Sequence, residues 1–145
     1  MNRGKKPLLQ TMGREMTITT HGFDDIPEGP NVFVANRACM RDIFAIPASL
    51  PEDCDVVISS RLAHKNSSVY TAVRRLVIEN ALHTIPLEVH GGKEYLEVGL
   101  KMAKQVLLDG RSLLIFPEGA YTGSAQVTKG RTGASRILFG ASIGG

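Results

Sequence analysis

The chain has 145 residues, 43% of them apolar and 21% charged, which suits one cored domain and excludes wholesale disorder. The formal net charge of +3 is too small to argue for a nucleic-acid partner, and no basic stripe carries interleaved aromatics. Two cysteines, Cys39 and Cys54, have neither metal-ligand spacing nor disulfide-framework density, so a reducing compartment is expected.

The opening residues, with Arg3, Lys5 and Lys6, offer a weak attraction to anionic surfaces. They contain no continuous apolar run of the signal-peptide kind, and no stretch is long and apolar enough to span a bilayer. Residues 17–20 form a β-prone run, and the Pro27 to Pro30 cluster turns the chain. "NVFVAN" at 31–36 is a short buried strand, and 41–50 is a helix in which Pro47 introduces a bend or restart. "DVVISS" at 55–60 is a second strand. A helix follows over 67–82, N-capped by Ser67 or Ser68, with Val69, Ala72, Val73, Leu76 and Val77 on one face. "HTIPLEV" at 83–89 is a third strand, closed by Gly91 and Gly92. The clearest helix covers 93–110: Leu96, Leu100, Ala103 and Leu107 step along one face, and Gly110 stops it. "SLLIF" at 112–116 is a fourth strand, cut by "PEG", after which comes a glycine-rich loop and a small-residue segment over 133–145. Strands alternating with helices of this length predict a single α/β domain with a mostly parallel sheet flanked by helices, and chemistry at the C-terminal ends of the strands.

Three blocks, with a fourth step behind them, carry a resemblance. "HGFDDIPEGPNVFVAN" ends in Asn36; "NRACMRD" spans Asn36 to Asp42; "FPEG" runs from Phe116 to Gly119; and Gly133 stands in "RTGA". In this order they resemble the glycerolipid acyltransferase family, the lysophosphatidate acyltransferase-like (PlsC-like) domain, over about residues 21–140. In the family's Asn-His-x-x-x-x-Asp pattern, Asn36 and Asp42 match, and Arg37 stands where the histidine belongs. The arginine that the family carries after "FPEG" is absent, since Ala120, Tyr121 and Thr122 follow. The family's phosphate-holding arginine on the third strand is also absent; His83, His90 and Lys93 are the nearest polar residues. The resemblance implies that residues 1–145 form one PlsC-like domain, of the glycerol-3-phosphate acyltransferase-like fold, that lacks the family's distal part.

Acyl transfer from a thioester needs a base for the acceptor hydroxyl, a group that orients the base, and donors for the oxyanion. By the resemblance, Arg37 and Asp42 occupy the catalytic positions, and Asn36, Phe116, Glu118 and Gly119 line the acceptor site. Lys129 and Arg131, with Arg136 behind them, are the charges available to hold a phosphate, and Gly119 and Gly123 give a loop with free amides. A guanidinium stays protonated, with a pKa above about 12, and a neighbouring carboxylate raises it further. An Arg37–Asp42 ion pair is therefore expected, keeping local structure while removing general-base help worth about 10² to 10⁴ in rate. His21, His64, His83 and His90 are the substitutes on offer, although lone histidines are more often structural or surface groups. Cys39, two residues past Arg37, would need a covalent acyl-enzyme, and an inert buried thiol is the plainer reading.

The implied function is transfer of a fatty acyl group from acyl-CoA or acyl-carrier protein to a (lyso)glycerophosphate hydroxyl, with catalysis impaired by Arg37. The site would be cytoplasmic and peripheral at the membrane surface, with no metal or organic cofactor and no nucleic acid. The alternative, favoured by the joint loss of the histidine and the loop arginine, is a non-catalytic module that binds an acyl carrier or a phospholipid.

Overall fold

The computed structural model describes residues 18–39, 42–59, 83–87, 92–118, 126–127 and 129–142. Four strands form one parallel sheet: β1 (Val32–Val34), β2 (Cys54–Ser59), β3 (Thr84–Leu87) and β4 (Ser112–Ile115), in the order β1-β4-β2-β3. Three helices among the described residues flank it: α1 (Asp42–Ser49), α2 (Lys93–Leu108) and α3 (Gly133–Ser142). The expected single α/β domain with a parallel sheet is what is found. The predicted helix over 67–82, with its Ser67 or Ser68 cap, lies outside the described residues.

The central strands β2 and β4 are buried on both faces, which is why they read as nearly continuous apolar runs. Side chains alternate between the faces. Val57, Ile85, Leu113 and Ile115 point to one face, where they pack with Leu100, Ala103, Val106 and Leu107 of α2 and Ile137 of α3. Val56, Ile58 and Leu114 point to the other, with Ile43 and Phe44 of α1. Each buried aliphatic side chain contributes roughly 1.5 to 3 kcal/mol, so these two clusters dominate the stability of the domain.

Three expectations need adjusting. Residues 18–20, the described part of the β-prone run at 17–20, are not in a strand. Pro47 does not restart α1, which runs unbroken from Asp42 to Ser49 with Pro47 buried. In so short a helix the missing N–H removes one bond, to the carbonyl four residues earlier, and burial of the ring offsets it. The small-residue segment forms α3, which lays Ala134, Ile137 and Ala141 on the core at helical spacing.

Two devices hold the N-terminal edge of the sheet. The Asn31 N–H donates to Ser112 Oγ (2.8 Å), the Ser112 hydroxyl donates to Glu52 Oε1 (2.6 Å), and the Asn31 side-chain amide donates to the Pro27 and Gly29 carbonyls (3.0 Å each). This clips the Pro- and Gly-rich lead-in to β1 and β4. Nearby, Arg111 Nη1 pairs with the buried Asp55 at 2.6 Å.

The edge strands differ in kind. β1 has three residues. β3 carries Pro86, which is exposed. The His83 carbonyl accepts from the Val56 N–H (3.1 Å), so alternation turns Ile85 toward β2 and leaves the Pro86 nitrogen facing away from the sheet. No described helix is long and apolar enough to cross a membrane.

Candidate active site

β1 and β4 are hydrogen-bonded neighbours in register, Val34 opposite Ile115, and the Ala35 N–H extends the ladder to the Ile115 carbonyl (3.1 Å). The segments that leave these two strands must therefore meet at the C-terminal edge of the sheet. They do: the backbone N–H of Arg37 donates to Glu118 Oε2 at 3.2 Å. Arg37 is 5% exposed and Glu118 is 8% exposed. The Arg37 guanidinium carbon lies 5.7 Å from the centre of the Phe116 ring, within cation–π range. Burying a charge is costly unless other groups compensate for lost water, and the aromatic face contributes to that here.

Asp42 does something other than the sequence suggested. Its Oδ2 accepts the N–H groups of Ala38 (2.8 Å) and Cys39 (2.7 Å), and its Oδ1 accepts from the Cys39 thiol (3.1 Å). The expected Arg37–Asp42 ion pair is absent among the described residues. The physical reason is local: two adjacent amides converge on one carboxylate oxygen, a charge-assisted arrangement that closes the turn into α1 and places a negative charge at that helix's start. Cys39 is half-buried rather than fully buried.

The remaining positions gather less tightly. Asn36 is exposed on the connection from β1. The segment holding Lys129 and Arg131 is tied to the same edge, because the Arg131 N–H donates to the Pro117 carbonyl at 2.7 Å. Both side chains are exposed there. A Cβ on Gly130 would sit 3.2 Å from Pro117 Cβ, so this return of the chain is close. Arg136 turns away and pairs with Glu97 of α2. Gly119, Tyr121 and Gly123 lie outside the described residues.

A family model described as Acyltransferase matches residues 17–143, nearly the whole chain. The chain belongs to the acyltransferase family. No curated protein matches it. In this acyltransferase-family domain the described residues 36–39 and 116–118 lie against each other, through the Arg37 amide on Glu118 and the Arg37 guanidinium over Phe116. Of the described histidines, His83 does not reach this edge. His83 precedes Thr84, which pairs with Val56 near the start of β2, so it stands at the opposite end of the sheet from Arg37. His21 is exposed in the lead-in, and His64 and His90 lie outside the described residues. Among the described residues no group of three or more His, Cys, Asp or Glu side chains gathers to hold a metal ion.

Two features of this edge escape a sequence reading. One is the Pro117 carbonyl as the anchor for the basic segment. No pattern announces it, because backbone acceptors have no residue signature. The other is the Cys39 thiol on Asp42. The spacing of three residues before a helix-starting Asp was a usable signal, since short polar side chains at helix starts fold back on nearby amides.

Proposed function

We propose that this acyltransferase is of the glycerolipid-synthesising, PlsC-like type. Its donor is acyl-CoA or acyl-carrier protein, and its acceptor is a glycerophosphate or lysophospholipid hydroxyl presented at a membrane surface. Lys129 and Arg131 at the rim attract the phosphate, Asn36, Phe116, Glu118 and Gly119 line the acceptor site, and Arg37 stands in place of the family histidine. The observation that carries this reading is the Arg37 amide on Glu118, which joins two family segments into one edge. A buried guanidinium at residue 37 cannot take a proton, so the transfer proceeds without general-base help. That forfeits about 10² to 10⁴ in rate.

A second reading is favoured by Asp42, whose carboxylate is engaged by the Ala38 and Cys39 amides and the Cys39 thiol. With no histidine for it to orient, the domain serves as a non-catalytic binder of an acyl carrier or phospholipid. One experiment separates the two. The chain and its Arg37→His variant are given acyl-CoA and lysophosphatidate, and release of the free thiol is followed. The acyltransferase reading expects slow turnover by the natural chain and a gain of about 10² or more in the variant. A natural chain that matches the variant overturns the role given to Arg37. Binding of lysophosphatidate vesicles without turnover in either protein favours the second reading.

A further inference from the structure

α2 buries one stripe and leaves a flank uncovered. Leu100, Ala103, Val106 and Leu107 face the sheet. On the side away from α3, Tyr95, Val98 and Met102 are exposed at 60%, 57% and 46%. They are spaced three and four residues apart, so they stand one above another as a continuous apolar strip. Glu94 and Lys101 border this strip, two turns apart on the next row outward, and both are exposed. Among the described residues neither has an ion-pair partner. The other flank of α2 is already used: Glu97 pairs with Arg136 of α3, and Lys104 approaches Gly140.

The strip has a symmetry that selects its occupant. We propose that a second copy of this chain docks there, α2 against α2, antiparallel about Val98. A two-fold axis at Val98 brings each Tyr95 within about one residue's rise, ~1.5 Å, of level with the partner's Met102, near enough for a favourable thioether–aromatic contact. The same axis brings Glu94 of each protomer equally near to level with the partner's Lys101, so the bordering charges are complementary. A two-fold contact requires a patch that is its own complement, and this one is. The neighbouring sheet edge does not compete, because the Pro86 nitrogen has no hydrogen to offer an added strand. With three apolar side chains on the strip of each protomer, the dimer is expected to be weak and concentration-dependent.

Sedimentation equilibrium on the full chain, from tens of micromolar toward millimolar, tests this. A monomer–dimer equilibrium is expected in the natural chain. Val98→Glu should leave only monomer while its circular dichroism and urea midpoint stay unchanged, since Val98 is exposed. Glu94→Lys and Lys101→Glu should each weaken association at least several-fold, and the double exchange should restore it. A natural chain that stays monomeric throughout overturns the proposal. So does a dimer insensitive to Val98→Glu, or charge variants whose combination fails to recover. If Val98→Glu leaves the mass unchanged but abolishes binding to anionic vesicles, the strip is a lipid contact and the dimer is refuted.

Discussion

The carboxylate of Asp42 shows how one side chain can organise the entry to a helix. Here it gathers two amides and a thiol within 2.7 to 3.1 Å. Its worth is therefore measurable as stability. Asp42→Ala strands two N–H donors in a half-buried turn and removes a favourable charge from the start of α1, for an expected loss of about 1 to 2 kcal/mol. Asp42→Asn keeps an oxygen acceptor and should recover part of that loss. Urea unfolding of the three proteins measures it, and an alanine variant as stable as the natural chain would show the contacts to be inconsequential. At this scale the sequence was only partly legible. The pairing of residue 37 with residue 118 follows from motif order and sheet logic. The choice of Asp42 between guanidinium and amides does not, because both partners lie within five residues of it and only backbone geometry decides.

Among the elements, α2 was the most legible, since its apolar spacing is long and regular and Gly110, at φ 78°, ends it in the left-handed conformation that glycine favours. α3 was the least legible. Its glycines and serines have weak helix propensity, and the core contact of Ile137 supplies what propensity does not. Gly99 links α2 to β3 and makes a sharper test. A Cβ there would meet Leu87 Cδ1 at 2.8 Å and the Pro86 carbonyl oxygen at 2.9 Å. A leucine tip can rotate, but a strand carbonyl cannot yield without moving β3. Alanine gains about 1 kcal/mol of helix propensity over glycine, whereas overpacking costs about 1 to 3 kcal/mol. The clash wins, so Gly99→Ala should lower the urea midpoint. A raised midpoint would mean that α2 lifts off the sheet freely.

At the scale of the whole molecule, alternating strand and helix signals were enough for the fold class, because a buried parallel sheet requires covering on both faces. Strand order was not legible. Inserting β4 between β1 and β2 depends on which faces the connecting helices take, and the site exists because of that insertion. The same order leaves β1 and β3 at the margins, and here Pro86 has a consequence for the behaviour of the protein in quantity. A strand margin with a full set of donors invites other chains to continue the sheet into fibres. The pyrrolidine ring withholds the donor at the middle of β3, and β1 is too short to seed much. Pro86→Val should leave the isolated fold intact and make concentrated solutions scatter light and bind thioflavin. If the valine variant stays as clear as the natural protein, something other than the proline guards that margin. Crowded surroundings would punish such a replacement long before any loss of fold became visible.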